Sequence, residues 1–313
     1  MNAPALQIDH LARDFIVGGR VLRAVDDVSF ALEDGETLGV VGESGCGKST
    51  LARMVLKLVA PTSGRIRLMG EDVTDLSERE MRPRRKSLQA VFQDPVSSLN
   101  PRLTVQDIIA EPLRRFAMRP AEMRARVAEM LNLVGLPADA AGRYPHAFSG
   151  GQRQRIAIAR ALAGSPRVVI FDEATSALDV SVQAQILNLV ADLQERLSLS
   201  VIFISHNLGA VRHVSRRVAV MYLGRIVEIA TEEQIFDRPA HPYTQALIAA
   251  APEPTLDEPD APPLIGETPS PLDRPSGCHF HPRCPRAQAK CREEDPVLVA
   301  IDGAHLARCF FPG

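Results

Sequence analysis

The 313-residue sequence contains no run of about 18 consecutive apolar residues, the shortest run that can cross a bilayer as a helix. It also lacks a large excess of one charge, because the formal net charge is -2 and the pI is near 6.5. The first absence argues against a membrane-spanning segment. The second gives no electrostatic reason to expect nucleic acid or an anionic membrane as a partner.

The N-terminal sequence MNAPALQIDH lacks the basic start and apolar run of a secretory signal, so we expect the chain to remain in the cytosol. Cysteine is also scarce, with five residues in all. Cys46 stands alone, and the other four lie near the C-terminus: Cys278, Cys284, Cys291 and Cys309. In a reducing compartment such a cluster favours a metal site over disulfides.

Three short apolar runs are typical of buried strands in a parallel sheet. They cover residues 36–41, 168–171 and 200–205, and helical patterns follow them, the first at 49–58. This alternation favours an α/β fold. Residues from about 103 to 164 predict a mainly helical segment, interrupted by Pro145 and a Ser-Gly-Gly turn.

A phosphate-binding loop is indicated by Gly42-Glu-Ser-Gly-Cys-Gly-Lys48-Ser49, which fits G-x-x-x-x-G-K-[ST] between a predicted strand and a predicted helix. Glycines let successive N–H groups face one hollow, and the helix start adds positive dipole. Lys48 would reach the β and γ phosphates, and Ser49 would hold Mg²⁺. The alternative is a glycine-rich turn, which the flanking strand and helix disfavour. Cys46 occupies a variable position and receives no chemical role.

Two carboxylates, Asp172 and Glu173, follow the strand at 168–171, where a parallel strand ends and ligands are usually bound. Asp172 can hold Mg²⁺ through water, and Glu173 can polarise the water that attacks a γ phosphate. A solvated strand end is the alternative. His206, after the third strand, would contact the γ phosphate, or would be only a capping or packing residue.

The sequence Phe148-Ser-Gly-Gly-Gln-Arg-Gln-Arg155, followed by Asp172 and Glu173, resembles the signature motif of ABC-family ATPases. The resemblance covers nearly the whole chain. It implies an α/β P-loop NTPase of the ABC nucleotide-binding type, with a RecA-like core, an antiparallel β subdomain and a helical subdomain. A small cysteine-rich C-terminal extension would follow.

The domain bounds expected from this likeness are 1–250 for the nucleotide-binding domain, with its helical subdomain at about 95–165. A proline-rich linker is expected at 251–276 and a cysteine-rich tail at 277–313. No repeat of 20 to 50 residues is visible, so the chain carries one copy of the main domain.

In the family, two such domains face each other, and each ATP lies between one phosphate loop and the other domain's signature motif. The resemblance therefore implies ATP and Mg²⁺ as ligands. The ATP-binding positions that match are Phe15, which would stack on adenine, and Gly42, Ser44, Gly45, Cys46, Gly47, Lys48, Ser49, Thr50, Ser149, Gly150, Gly151 and Gln152. The Mg²⁺ positions are Ser49, Gln93 and Asp172, and the catalytic positions are Glu173, His206 and Gln93.

Further motifs match the family, with two departures. Ser176-Ala-Leu-Asp179 matches the loop that crosses to the partner's site. Ala174 stands where proline is frequent, and Asn207 stands where aspartate is frequent. Neither departure removes a catalytic group, so the resemblance implies an active subunit. An ordinary core phenylalanine is the alternative for Phe15.

Residues 91–101, 143–146 and 241–247 resemble the ATPases of oligopeptide and dipeptide importers, and in particular the second ATPase of a pair. The expected partners are a second ATPase, identical or different, two transmembrane permeases and, indirectly, an extracytoplasmic solute-binding protein. The chain would lie on the cytoplasmic face of the cell inner membrane. Relatives in this branch also carry nickel, glutathione or other small solutes, so these cargoes remain alternatives.

The tail cysteines match that branch too, and the resemblance implies a [4Fe-4S] cluster on Cys278, Cys284, Cys291 and Cys309. Zinc is the alternative, with His279 and His281 as further ligands. Unliganded cysteines in a loosely ordered tail are the third possibility.

The sequence disfavours two other functions. A soluble ABC ATPase acting on DNA or ribosomes would normally carry a second such domain or a long coiled-coil insertion, and neither is present. A non-catalytic regulatory subunit is disfavoured by the intact Glu173.

Overall fold

The computed structural model describes residues 3–94, 98–116, 118–250 and 266–313. The chain divides into two units. The first unit draws on Met1–Leu6, Leu32–Thr37 and Asp75–Ile204, and the second on Gln7–Ala31, Leu38–Thr74 and Ser205–Gly313.

The strands and helices are given in chain order. The strands are β1 Leu6–Val17, β2 Arg20–Leu32, β3 Thr37–Val41, β4 Ser63–Leu68, β5 Glu71–Asp72, β6 Leu88–Phe92, β7 Val168–Asp172, β8 Ser200–Ile204, β9 Arg217–Tyr222, β10 Arg225–Thr231, β11 Val299–Asp302 and β12 His305–Ala307. The helices are α1 Lys48–Val55, α2 Glu78–Met81, α3 Val105–Ala110, α4 Pro120–Leu133, α5 Gly150–Leu162, α6 Val180–Leu197, α7 Leu208–Val214, α8 Glu232–Asp237, α9 Pro242–Ala249 and α10 Ala289–Glu293.

In the first unit, β6, β7 and β8 pair in parallel, in that order. Every residue of β7 and β8 is buried, as expected of parallel strands covered on both faces. In register, Phe92 lies opposite Asp172, and Asp172 lies opposite Ile204. The carboxyl ends of the three strands therefore meet at one edge, which brings the segments after β6 and β7 together.

The helices of the first unit are tied together by arginines that bind helix ends. α3 packs on α4 and α5, and α5 packs on α6. Arg155 on α5 donates to the Val134 carbonyl at 2.7 Å, just after α4 ends. Arg126 on α4 donates to the Ala163 carbonyl at 3.0 Å, just after α5 ends. These bonds satisfy carbonyls that have no partner within their own helix.

The second unit contains two groups of paired strands. One sheet has the order β2-β1-β4-β5, with β4 and β5 antiparallel. In the other, β3 pairs in parallel with β9, and β9 pairs antiparallel with β10. The five residues of β3 are all buried, so the loop that follows it starts from a fixed point.

The C-terminal tail extends the second group of strands. β12 pairs antiparallel with β10, and β11 pairs antiparallel with β12. Glu228 of β10 is fully buried and binds His305 Nε2 at 2.7 Å, and it also accepts from the backbone N–H groups of Ala240 and His241. The tail is thus part of the second unit, which the sequence pattern does not predict.

The predicted strands and helices are found with small shifts at their ends. The strand expected at 168–171 continues through Asp172, and the helix expected at 49–58 runs from Lys48 to Val55. Within the helical segment expected at about 103–164, α5 begins at Gly150, because Ser149 caps it. No helix within the described ranges is long and apolar enough to cross a membrane.

Parts of two predicted segments lie outside the described residues: 251–265 of the expected linker, and 95–97 and 117 of the expected helical subdomain. The end of the expected linker is attached to the second unit. Arg274 donates to the Asp26 carboxylate at 2.7 Å, and Thr268 donates to the Glu43 carboxylate at 2.7 Å.

Replacement of Phe203 should test the core of the first unit. Its side chain is fully buried in β8, with its ring centroid 6.2 Å from that of Phe171. We expect Phe203→Ala to lower the free energy of unfolding by about 3–5 kcal/mol, because the cavity cannot fully collapse. Urea denaturation followed by circular dichroism measures this. Leu197→Ala, at a side chain that is 44% exposed, is the control; equal losses in both variants would contradict the expectation.

Candidate functional site

The loop between β3 and α1 has a backbone path that requires glycine. Gly42 and Gly47 have φ angles of 149° and 110°. A Cβ atom on Gly42 would lie 2.2 Å from the Met221 carbonyl oxygen, and one on Gly47 would lie 2.4 Å from the Ala24 carbonyl oxygen. Both contacts are with backbone, which has little freedom to move. The loop therefore has its shape because of these two glycines.

Lys48 and the start of α1 give this loop its positive character. The Lys48 side chain is buried, and its Nζ donates to the carbonyls of Gly42 at 2.6 Å and Glu43 at 3.0 Å. The first turn of α1 contains no acidic residue, and Gly47 at the N-cap has no capping side chain. Backbone N–H groups and an ammonium group thus lie together at one helix end, an arrangement suited to phosphate.

The remaining loop positions differ in exposure. Ser44 and Gly45 are exposed, whereas Ser49 and Thr50 are half-buried in the first turn of α1. The Cys46 side chain is buried, with Sγ 3.8 Å from Lys48 Nζ. Burial raises the pKa of this thiol even though Lys48 lies beside it. Cys46 is therefore a neutral packing group at neutral pH.

Tyr243 is a contact of this loop that sequence reasoning missed. Its hydroxyl accepts a hydrogen bond from the Glu43 backbone N–H at 2.9 Å. The ring is fully buried, and burial raises the pKa of the hydroxyl. Tyr243 belongs to the 241–247 stretch that served only to indicate a branch of the family. The role of that stretch in holding the loop became visible only in the structure.

Asp172 and Glu173 lie in the first unit, at the end of β7. Asp172 is buried and Glu173 is half-buried. Glu173 has a φ of +50°, a conformation that non-glycine residues adopt rarely and often at functional sites. Its N–H donates to the Ile204 carbonyl at 2.9 Å, and its carbonyl accepts from the Ser176 hydroxyl at 2.9 Å. The backbone turn that carries the predicted catalytic carboxylate is thus held on both sides.

Gln93 lies in the same unit as these carboxylates. It directly follows Phe92, which is opposite Asp172 in register, and its side chain is exposed. The parallel pairing of β6 and β7 therefore places the predicted Gln93 and the predicted carboxylates at one sheet edge.

The signature motif forms the start of α5. Ser149 is the N-cap, and its Oγ accepts from the Gln152 N–H at 3.4 Å while its own N–H donates to Gln152 Oε1 at 3.0 Å. Ser149, Gly150 and Gln152 are exposed, whereas Gly151 is buried. A Cβ atom on Gly151 would lie 2.4 Å from Val182 Cγ1 of α6. Gly151 thus allows α5 and α6 to approach closely, and its neighbours face outward.

The other predicted positions also have defined surroundings. His206 of the second unit is exposed, and Asn207 caps α7 by accepting from the Ala210 N–H at 3.0 Å. An amide oxygen serves as a cap as well as a carboxylate does, which explains why asparagine is tolerated there. Asp179 of the first unit caps α6 in the same way. Phe15 is only half-buried, with the Arg13 guanidinium 4.5 Å from its ring centroid.

The four tail cysteines line one cavity in the second unit, together with His281. Burial, with a smaller contribution from the neighbouring cysteines, raises the pKa of Cys278 to about 11. His279 lines a different cavity, and burial lowers its pKa to about 4. Of the two histidines that the zinc alternative invokes, only His281 therefore lies with all four thiols.

A thiolate-bound metal fits this set in donor chemistry but not in spacing. Three sulfurs accept backbone N–H groups two residues further along the chain: Cys278 from Phe280, Cys284 from Arg286 and Cys309 from Phe311. Such bonds are typical of sulfur ligands in iron–sulfur proteins. Within the described ranges, however, no three Cys, His, Asp or Glu side chains are close enough together to hold a metal ion. Metal binding would require the sulfurs to move closer together.

Comparison with known proteins places the chain in a family. Residues 25–176 match the ABC transporter family, and residues 227–291 match the oligopeptide/dipeptide transporter C-terminal region. The chain belongs to the ABC transporter family, among its ATP-binding subunits. Members of this class are ATPases, and the predicted family and α/β ABC fold are confirmed.

Individual relatives are similar over most of the chain. A probable peptide ABC transporter ATP-binding protein, y4tS, of Sinorhizobium fredii is 55% identical over 92% of this chain and 82% of the relative. The oligopeptide transport ATP-binding protein AppF of Bacillus subtilis is 50% identical over 92% of this chain and 89% of the relative. OppF of Escherichia coli, another oligopeptide transport ATP-binding protein, is 50% identical over 89% and 85%.

Solved structures support the same fold. The cbiO1 subunit of the Clostridium perfringens ABC transporter complex cbiONQ has a TM-score of 0.69 and 28% identity, over 75% of this chain and 92% of that one. The ABC transporter cassette MJ0796, solved as a dimer, has a TM-score of 0.66 and 30% identity, over 72% and 98%.

The close approach at Gly151 can be tested with a compensating change. We expect Gly151→Ala to lower stability by about 1–3 kcal/mol through overpacking, and Gly151→Ala/Val182→Ala to recover most of that loss. Thermal unfolding of the purified chain measures both. Gly150→Ala is the matched control, because its Cβ would lie 3.5 Å from Leu178 Cδ2, an ordinary contact. Failure of the double variant to recover would show that crowding against Val182 is not the cause.

Proposed function

We propose that this chain is the ATP-hydrolysing subunit of an importer for peptides. The observation that carries the proposal is the match of 89–98% of the chain to relatives described as peptide or oligopeptide transport ATP-binding proteins, at 47–55% identity. The C-terminal match to the oligopeptide/dipeptide transporter region supports the same cargo class. The alternative is an importer of the same type that carries nickel or glutathione, and uptake assays with each solute distinguish it from a peptide importer.

The proposed ATP chemistry assigns one role to each group. The amides of residues 42–48 and the Lys48 ammonium hold the phosphates, and Ser49, Gln93 and Asp172 hold Mg²⁺, which screens the phosphate charge. Glu173 accepts a proton from the attacking water, and His206 hydrogen-bonds the γ phosphate. The φ of +50° at Glu173 and the held turn around it support its assignment.

Two copies of such a domain are proposed to complete each site. Ser149, Gly150 and Gln152 are exposed at the start of α5, so a neighbouring protein can reach these N–H groups and hydroxyl. The dimeric MJ0796 structures, one of them bound to ADP and Pi, support this arrangement by likeness. The second domain is another copy of this chain or a different ATPase of the same type.

The membrane parts of the importer are proposed to be other chains. Two permease subunits would form the pathway, and an extracytoplasmic binding protein would deliver the peptide to them. This chain would bind the permeases at the cytoplasmic face of the cell inner membrane. The names of the transport relatives support an ATP-binding role within a larger complex.

We also propose that Cys278, Cys284, Cys291 and Cys309 bind a metal centre of structural function, a [4Fe-4S] cluster in preference to zinc. Their shared cavity and the N–H bonds to three of their sulfurs support this. Because burial raises the pKa of the Cys278, Cys284 and Cys309 thiols, metal binding near pH 7 must release protons.

The catalytic assignment is tested by Glu173→Gln in proteoliposomes that contain the assembled transporter. We expect ATP hydrolysis and labelled-peptide uptake to fall by about 10²- to 10⁴-fold, because a proton acceptor is lost, while ATP still binds. Glu195→Gln, on the exposed side of α6, is the control and should leave both activities unchanged. Hydrolysis that persists in Glu173→Gln would overturn the catalytic role of Glu173. ATP hydrolysis stimulated by another solute and not by peptides would overturn the assignment of peptides as the cargo.

The metal proposal is tested on the full-length chain purified without oxygen. We expect about four iron and four sulfide per chain, with visible absorption, and loss of both in Cys284→Ser. Cys46→Ser should keep the metal, because Cys46 lies in the phosphate loop. If the protein instead contains one zinc per chain, and Cys284→Ser loses it, the metal centre is zinc and not an iron–sulfur cluster. The absence of any stoichiometric metal would overturn the proposal.

A further inference from the structure

An ion pair joins the C-terminal tail to the phosphate loop within the second unit. Both terminal nitrogens of Arg283 contact the Glu43 carboxylate, with Nη1–Oε2 at 2.8 Å and Nη2–Oε1 at 2.9 Å. This is a bidentate pair, the strong form of the interaction. Thr268 donates to the same carboxylate at 2.7 Å. The Arg283 side chain is 4% exposed and that of Glu43 is 23% exposed, so solvent screens the pair only in part.

Arg283 is fixed by the structure of the tail around it. Its backbone N–H donates to the Phe280 carbonyl at 3.0 Å, and Cys284 follows it directly. Phe280 packs edge-on against Tyr222 at 5.3 Å and Tyr243 at 5.4 Å between ring centroids. Because Tyr243 also binds the Glu43 N–H, both the backbone and the side chain of Glu43 are held by residues outside the loop.

The charge of Glu43 explains why such a pair matters. Its carboxylate belongs to the loop that would hold phosphate groups, and its backbone carbonyl accepts from Lys48. A free carboxylate there would repel a polyphosphate and compete with it for the lysine. Burial raises the pKa of Glu43, but the bonds from Arg283 and Thr268 outweigh this effect and lower it. Glu43 is therefore ionised at neutral pH, and Arg283 balances its charge.

We infer that Arg283 is a positioning residue for ATP binding: it neutralises Glu43 and holds that carboxylate away from the phosphates. The cysteine-rich tail thereby contributes to the affinity of the phosphate loop. This inference rests on the proposed assignment of residues 42–49 as the ATP site.

The test is a double-mutant cycle on the purified full-length chain, with Mg-ATP affinity measured by calorimetry. We expect Arg283→Gln to weaken ATP binding by about five- to tenfold, because the Glu43 charge is left unbalanced. Glu43→Gln should raise the affinity, because it leaves the positive charge of Arg283 unbalanced beside the loop. The variant with both changes should return to within about twofold of the original affinity, because neither charge remains.

A role limited to docking the tail gives a different pattern. All three variants would then lose affinity equally, because each breaks the contact, and this result would overturn the inference. Arg283→Lys should lose only about twofold, since it keeps the charge without the bidentate geometry. The loss in Arg283→Gln should shrink at high salt, as expected of repulsion between charges.

Two controls separate the possible failures. Arg308→Gln breaks another tail contact, the partly buried one at Asp27, without touching residues 42–49, and should keep the original affinity. Lys48→Ala should abolish ATP binding. If Lys48→Ala binds ATP normally, the proposed site is wrong. If Lys48→Ala loses ATP binding but Arg283→Gln binds ATP as tightly as the original protein, the site is correct and only the role inferred for Arg283 is wrong.

Discussion

The loop between β3 and α1 depends on two places where backbone meets backbone. Gly42 lies against the Met221 carbonyl and Gly47 against the Ala24 carbonyl, at distances that leave no room for a Cβ atom. These contacts set the direction in which the loop amides and Lys48 point. The two neighbouring strands, β2 with Ala24 and β9 with Met221, must therefore fit closely against the loop. The proposed binding of phosphate at this loop depends on that constraint.

The C-terminal tail is attached to the second unit by buried polar contacts and by paired strands. Glu228 joins β10 to His305, and Arg283 reaches Glu43. Arg274, at the end of the expected linker just before the tail, reaches Asp26. Removing one partner of such a contact leaves a buried charge, which is costly. The tail therefore belongs to the folded unit that carries the phosphate loop, and Cys284 directly follows Arg283, which contacts that loop.

Local patterns with a specific physical cause were predictable. The apolar runs of β3, β7 and β8 appear as strands because parallel strands buried on both faces need a nearly continuous apolar sequence. Short or exposed elements were not predictable. β12 has three residues and every residue of β11 is exposed, so neither has a readable periodicity. Likewise, a tyrosine in a family-specific stretch does not reveal that it binds the Glu43 amide.

The sequence by itself determined the phosphate loop, the signature motif, the carboxylates after β7 and the family, because each depends on neighbours along the chain. Glycine spacing, a capping serine and a strand end are local features that residue order specifies. Tertiary structure decided which distant groups meet, such as Arg283 with Glu43 and Gly151 with Val182. Those contacts depend on how separate parts of the chain pack together, which the order of neighbouring residues does not specify.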